Sequence, residues 1–559
     1  MMIRKTCVLV IALTTLTIAA DRPDTPLAPP EWRIVPSPKS VQQDNGECAI
    51  SSTQPIRVTN AAVGDLLHKE LALLTPGKPA GIEQLSDETP TIIWGDVDRD
   101  SVPAVPAKAQ AYVLQIQDKG LIIAGRDADG LRNGVQSLLQ LVEQLGPNNL
   151  PRVTVSDWPA MAFRAFYLVL RPPRSWQCSS ADAATEFHKQ LIRRIARYKY
   201  THLVINLKAS MQLKSHPDVW RDIYQPRHVK EMVAFAERFG IGSIPQVDSL
   251  GKFFGLNETR TPHVRKMVER YSHLLEPARY IGQGAWRGEY HAGIRKKHEA
   301  LARKAREQEE PGPSTTFDVR KDAVRDLLHD VLDEVIGIFN QPEYVHIGAD
   351  EAYYVAIDAP AEKRGPLMAD HLNKVAAYVQ KKGSRPMMWD DLLVNHEQFP
   401  WFLEAHGGPP LNTWTAVRDL SRDIILTAWH YGWTVGGHYP EDYPMIPDFK
   451  ARGFTVVGVS WFRHDNIVNM ARQIEAVDGL GMIGTSFSMH RSHGYALGAV
   501  EPRDEADERE LKARAELGVM AATAEGIWSP ERAEDVLKQY SPYEWEKRWL
   551  LGERKGQAD

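Results

Sequence analysis

Short apolar runs recur along the chain from Phe163 onward, at residues 166–170, 202–207, 241–247, 344–349, 386–389, 424–429, 455–460 and 482–487. Runs of this length, apolar at successive rather than alternate positions, predict strands buried on both faces. Between them lie stretches with apolar residues at helical spacing, such as 183–198, 229–239, 323–339 and 369–381. The order strand, helix, strand, helix implies a parallel sheet, and eight such strands within about 370 residues predict an α/β fold closed as a (β/α)8 TIM barrel with insertions.

Ahead of the barrel the pattern is different. Residues 111–117 alternate, with Tyr112, Leu114 and Ile116 on one face, and a turn at Asp118-Lys119-Gly120 leads into a second strand at 121–124. That is a hairpin. Residues 131–145 place Leu131, Val135, Leu138, Leu139, Val142 and Leu145 on one stripe and stop at Gly146-Pro147, as a helix should. A smaller α+β domain is therefore expected before the barrel. The division of the chain is a signal peptide at 1–20, a Pro-rich linker at 21–30, the α+β domain at 31–157, the barrel at 158–530 and a helical tail at 531–559, where Tyr543, Trp545 and Trp549 recur at helical spacing.

Composition narrows the partners. The 559 residues are 43% apolar, 25% charged and 9% aromatic, those of an ordinary globular protein of more than one domain. A formal net charge of −5 argues against nucleic acid or an anionic membrane surface. Fifteen Trp residues supply flat apolar faces of the kind that bind sugar rings. Arg4 and Lys5 precede an apolar stretch from Cys7 to Ala20, too short for a comfortable membrane span, which predicts a secretory signal peptide and a secreted or periplasmic protein. Loss of that segment leaves Cys48 and Cys178, and the sequence leaves open whether they pair. The charged run from Arg295 to Glu310 lies in the largest insertion, between the third and fourth strands, and reads as a solvated helix and loop.

Candidate chemistry gathers at the ends of the predicted strands. Asp350 and Glu351 follow the fourth, Trp389, Asp390 and Asp391 the fifth, Trp429, His430 and Tyr431 the sixth, and Trp461 and His464 the seventh. Two adjacent acids alone are explained as readily by the positive end of a helix dipole. At the C-terminal face of a barrel, beside aromatic walls, they are what glycosidic-bond cleavage needs: an acid for the leaving oxygen and flat surfaces for the sugar. Other chemistries lack their motifs. There is no Gly-rich phosphate loop, no His-Glu-x-x-His pair and no Gly-x-Ser-x-Gly elbow. Asp96-Val-Asp-Arg-Asp100 resembles a calcium loop, but Ser101 and Ala107 stand where Gly and Glu belong. His490 and His493 have no acidic partner, so no metal or cofactor is expected.

Tyr344-Val-His-Ile-Gly-Ala-Asp-Glu351 resembles the His-x-Gly-Gly-Asp-Glu signature of glycoside hydrolase family 20, the β-N-acetylhexosaminidases. Other stretches agree in the family's order: Gly120-Leu-Ile-Ile, Asp129-Gly130 and Gln136-Ser-Leu-Leu-Gln140 in its N-terminal domain, Phe163-Arg164 at its first barrel strand, 241–251 at its third and 520–530 at its last barrel helix. The resemblance covers about residues 31–531. It implies a retaining reaction in which the substrate's own acetamido oxygen attacks the anomeric carbon. Glu351 would be general acid and then base, and Asp350 would orient the acetamido group. His346 would support them, Trp389 and Trp429 would line the acetamido pocket, Phe487 would stand where a third Trp is usual, and Arg164 would hold sugar hydroxyls.

Departures from the family pattern are many. Val169 stands for an acid after the first-strand Arg, Asn206 and Ala209 fall in the second-strand His-x-His-x-x-Asp run, and Gln246 and Lys252 replace a Glu and a His after the third. Phe487-Ser-Met489 replaces Trp-x-Glu at the eighth strand, and His464 and Asn466 fall near the usual Tyr-x-Asp of the seventh. The resemblance thus implies a hydrolase releasing terminal GlcNAc or GalNAc from a glycan, and the N-terminal segment implies that it is secreted. The departures keep two alternatives open: a glycosidase of altered specificity, for example toward a modified or sulfated amino sugar, and a carbohydrate-binding protein without turnover.

Overall fold

The computed structural model describes residues 32–50, 54–75, 81–86, 89–97, 101, 103–173, 178–255, 262–277, 313–400, 402, 404–431, 441–485 and 518–545. The barrel strands are Phe163–Val169, His202–Asn206, Gly242–Gln246, Tyr344–His346, Arg385–Trp389, Ile425–Ala428, Val456–Ser460 and Gly481–Thr485. Each pairs in parallel with its neighbours, and the eighth pairs with the first to close the ring.

The continuous apolar runs are explained by two different cores. In the first strand Phe163, Ala165, Tyr167 and Val169 fill the lumen, whereas Phe166 and Leu168 pack outward against the helices. Met387 and Trp389 against Met388, and Val457 and Val459 against Val456, repeat this division. Because strand side chains alternate, both parities must be apolar when both faces are covered.

Around the barrel run helices Ala181–Arg197, Pro226–Glu237, Pro262–Arg270, Asp322–Ile338, Ala361–Lys381, Met445–Ala451, His464–Ala476 and Val519–Trp528. Ser180 caps the first of these through the Ala183 amide. Two elements differ from expectation. Helix Ala361–Lys381 begins eight residues before the expected start at 369 and runs through Pro366, because Gly365 beside it lies directly against Thr415 and Ala416, and this packing overrides the Gly-Pro break. Between the fifth and sixth strands the described residues form only the 3-10 turns Asp391–Leu393 and Thr413–Arg418, the second packed on helix Ala361–Lys381, in place of a full helix. After the third strand, Leu275–Pro277 pairs antiparallel with Pro313–Phe317. The charged run 295–310 between them, the segments 1–30, and His490 and His493 lie outside the described residues.

The N-terminal domain is a seven-stranded sheet in the order Ser40–Cys48, Leu150–Asp157, Tyr112–Gln117, Gly120–Gly125, Thr91–Gly95, Ile56–Val58, Ile82–Gln84. The central hairpin pairs Tyr112 with Gly125 and Gln117 with Gly120. Helices Ala61–Leu74 and Ala128–Leu145 pack together, and the second also meets barrel helix Ala181–Arg197. It is buried on nearly every side from Gly130 to Val142: its apolar stripe meets the sheet, while its polar side meets the barrel. There Arg197, fully buried, donates to Gln136 at 2.7 Å, to Glu143 at 2.7 Å and to Glu70 at 2.8 Å. Trp528, at the end of the last barrel helix, is buried in the N-terminal core and donates from Nε1 to Asp157 at 2.8 Å. Cys48 and Cys178 do not form a disulfide with each other. Beyond the barrel, helix Ala533–Gln539 is followed by Trp545 packed on the barrel side, and Trp549 lies outside the described residues. Among the described residues no helix is long and apolar enough to cross a membrane.

Candidate active site

The fourth strand ends at His346, three residues short of the expected boundary, because Gly348 and Ala349 turn the chain into left-handed conformations at φ +67 and +77. Glycine is required at 348 for a second reason: a Cβ there would lie 2.4 Å from Asp248 Oδ1. This close crossing brings Asp350 and Glu351 onto the C-terminal mouth of the barrel, with side chains 16% and 26% exposed.

Lys252, after the third strand, is the partner of both. Its Nζ donates to Asp350 Oδ2 at 2.6 Å and to Glu351 Oε2 at 2.5 Å, and the side chain is only 6% exposed. Burial alone would raise the two carboxyls, but Lys252 outweighs it and holds both below the usual carboxylate range, with Lys208 adding to the effect on Asp350. Burial likewise opposes the Lys252 charge, yet the two acids raise its ammonium well above an ordinary lysine. Lys208 also lies 3.4 Å from Asp248 Oδ2, and Gln246 Nε2 donates to Asp248 Oδ1 at 2.7 Å.

Asp391 fixes the pair from the other side. Its Oδ2 accepts the Glu351 backbone N–H at 2.9 Å and faces His406 Nδ1 at 2.8 Å, while its Oδ1 accepts from Trp429 Nε1 at 3.2 Å. Burial opposes the charged form of His406, but the Asp391 hydrogen bond and charge carry its pKa above the usual imidazole value. Behind this layer, His430 Nε2 and Asp390 Oδ2 are 2.8 Å apart.

His346 is fully buried, and burial pushes its pKa down to about 3, so the ring is neutral. Nδ1 accepts the Gly348 N–H at 3.1 Å, which leaves Nε2 as the donor to Thr427 Oγ1 at 3.0 Å. The Thr427 hydroxyl in turn donates to Met388 O at 2.7 Å. One uncharged chain thereby locks the turn above the fourth strand to the fifth and sixth.

Aromatic rings continue round the mouth. Tyr167 meets Trp389 at 5.7 Å, Trp389 meets Trp429 at 6.5 Å, Trp429 meets Tyr431 at 5.5 Å, and Tyr431 meets Trp461 at 5.4 Å. They cap the lumen core.

The fold thus gathers Asp350, Glu351, His346, Trp389, Asp391 and Trp429, and links Trp461 to them through Tyr431. Phe487 lies outside the described residues. His464 is exposed on the first turn of the helix after the seventh strand. Arg164 does not join the group, which corrects the expectation that it holds sugar hydroxyls. It sits at the N-terminal end of the first strand, 2% exposed, donating to Lys199 O, Met161 O and Gln110 Oε1, with its guanidinium 5.1 Å from the Trp528 ring centroid. The reason is position: a residue that opens a barrel strand is at the wrong end for chemistry at the strand's other end. Sequence reasoning also missed Tyr167, His406 and the Lys252 fork, and it placed Tyr431 at the sixth strand end without a role. Tyr167 was accessible by parity with Phe163 and Ala165; His406 lies in a loop with no periodic signal.

Acid groups beside flat apolar walls suit cleavage of a glycosidic bond, and a barrel that presents them at this face is of the glycoside-hydrolase class. Comparison with known proteins gives the family. The model for glycosyl hydrolase family 20, domain 2, matches residues 31–158, and that for the glycosyl hydrolase family 20 catalytic domain matches 193–431. A beta-N-acetylhexosaminidase of Cellulomonas fimi is 24% identical over 421 residues, which are 68% of this chain and 73% of that protein. A beta-hexosaminidase of Porphyromonas gingivalis is 23% identical over 387 residues, covering 62% of this chain but only 43% of that protein. Among solved structures, a mutant Streptomyces plicatus beta-hexosaminidase in complex with its product GlcNAc superposes with a TM-score of 0.60 at 18% identity, covering 95% of this chain and 98% of that one. The chain belongs to glycoside hydrolase family 20 and is a β-N-acetylhexosaminidase-like glycoside hydrolase.

Proposed function

We propose that the protein removes terminal N-acetylhexosamine from glycans with retention of configuration, using the substrate's acetamido group as nucleophile. The observation that carries this reading is the adjacent pair Asp350 and Glu351 at the barrel mouth, tied through Asp391 to Trp429, whose ring meets Trp389. Glu351 gives its proton to the glycosidic oxygen as the acetamido oxygen attacks the anomeric carbon. Asp350 accepts the acetamido N–H and offsets the positive charge of the cyclic intermediate. Water then attacks the same carbon, Glu351 takes its proton, and the ring reopens. The sequence of residues 1–20 supports export of this activity from the cytoplasm.

The Lys252 fork bears on the first step. Glu351 must be protonated to act as an acid, and the fork favours its ionised form. The same feature favours one second reading, a protein that holds amino sugars without cleaving them. An aryl β-N-acetylglucosaminide assay separates the two: wild type should release aglycone about 10²- to 10⁴-fold faster than Glu351→Gln. Equal rates for the two, with retained binding of the sugar, would overturn cleavage of that sugar and favour the binding reading.

A further inference from the structure

The loop after the fifth strand folds back on its own start, and His406 is the tie. Its backbone N–H donates to Asp391 O at 2.9 Å and its Nδ1 lies 2.8 Å from Asp391 Oδ2, so the two residues are joined at two points. The approach is built into the neighbouring residues. A Cβ at Gly407 would run into Leu392 O, Gly407 N donates to Val394 O at 2.9 Å, and Thr413 Oγ1 donates to Leu392 O at 2.9 Å.

The Asp391 side chain is fully buried, and its three hydrogen-bond partners among the described residues all donate: the Glu351 backbone N–H and His406 Nδ1 to Oδ2, and Trp429 Nε1 to Oδ1. A carboxylate accepts all three, whereas a protonated carboxyl would turn its own O–H against one of them. Burial favours that protonated form, and the His406 cation opposes it. Glu351 needs the hold. Its φ of +48 is a left-handed conformation that a non-glycine residue keeps only where its surroundings impose it. Acid and aromatic wall thus share one anchor. Around His406 stand the charges of Asp391, of Glu351 from the fourth strand end and of Glu404 from its own loop, with the rings of Tyr353 at 5.4 Å and Trp429 at 6.1 Å.

We propose that His406 is a positioning residue for the reaction: it holds the Asp391 carboxylate so that one side chain seats both Glu351, through its backbone N–H, and Trp429, through its indole N–H. The inference rests on the cleavage reading above and adds a residue to its machinery.

Two substitutions separate donor from charge. His406→Ala removes both, and His406→Asn keeps an N–H donor near the Nδ1 position without the charge. On an aryl β-N-acetylglucosaminide, His406→Ala should lower kcat about 10²-fold, the effect of a misplaced acid, and raise KM far less. His406→Asn should recover about tenfold of that loss. In both variants the whole pH profile should move to higher pH. Without the cation, Asp391, which must be ionised, takes up its proton at higher pH, and Glu351, which must be protonated, keeps its proton to higher pH. A merely structural role would scale the profile without moving it, and circular dichroism checks that each variant is folded; His406→Asn, the milder change, carries the pH test by itself. A His406→Asn variant no faster than His406→Ala, or a profile that stays in place in both, overturns the positioning role and leaves the cleavage reading standing. If wild type cleaves no aryl amino sugar, the cleavage reading fails, and calorimetry with N-acetylglucosamine then tests the anchor through Trp429. Binding about tenfold weaker in His406→Ala and partly restored in His406→Asn upholds it. Unchanged binding, or none to wild type, overturns it.

Discussion

Lys252 decides the ionisation of the two acids on which the chemistry depends. With its ammonium 2.6 Å from Asp350 and 2.5 Å from Glu351, the free site holds Glu351 deprotonated to lower pH than an ordinary glutamate. The sign follows directly. A general acid works below its own pKa, so kcat/KM, which reports the free enzyme, should fall as pH rises through a Glu351 pKa that lies below the usual value. Lys252→Gln removes the strongest opposing charge and leaves burial and Asp350 opposed only by His406, so the alkaline limb of the profile should move to higher pH. A limb that stays in place, or moves to lower pH, would show that Lys252 does not govern Glu351. The acid pair was legible in the sequence as two carboxylates after an apolar run. The lysine was legible only as a departure from a family pattern, because nothing in a linear sequence says that residue 252 reaches residues 350 and 351.

At the scale of elements, three strand ends are joined by a chain of neutral hydrogen bonds through His346 and Thr427. Thr427→Val keeps the shape but removes the acceptor for the buried His346 Nε2–H, at 3.0 Å in the native structure, and the donor to Met388 O. The expected cost is about 1–3 kcal/mol in denaturant unfolding, the penalty for a buried polar group left without a partner. A change below about 0.5 kcal/mol, typical of a surface substitution, would mean that the chain carries no load. Elements were the best-read level of the sequence. All eight strands were found by their continuous apolar runs, with ends off by a few residues where a left-handed turn, as at Gly348 and Ala349, stops the ladder. The helix through Gly365-Pro366 and the 3-10 turns after the fifth strand were not legible, since packing against Thr415 and Ala416 decided the first, and no periodic pattern marks the second.

The whole molecule is held together by the seam between sheet and barrel. Trp528 fills the N-terminal core from the last barrel helix, and Asp157 beneath it accepts from Trp528 Nε1 at 2.8 Å and from the Tyr112 hydroxyl at 3.0 Å. Trp528→Ala should destabilise the protein by about 3–5 kcal/mol and Trp528→Phe by less, since Phe restores most of the volume but not the hydrogen bond. Chemical denaturation monitored by tryptophan fluorescence and circular dichroism reads both; equal losses would assign the effect to the hydrogen bond rather than to packing. Arg164 belongs to this seam, its guanidinium over the Trp528 ring, and its distance from the acid pair follows from its place at the start of a strand.

What the sequence determined by itself is whatever depends on local periodicity and on order along the chain: a parallel barrel behind a smaller mixed domain, and acids and aromatics at the strand ends that form its mouth. What tertiary structure decided depends on residues far apart in number meeting in space. It placed Lys252 between the two acids and set His406 behind Asp391. It also moved Arg164 from the sugar site to the domain seam. The physical reason is that apolar burial is read one residue at a time, whereas ionisation is set by whichever charges the closed fold brings within a few ångströms of one another.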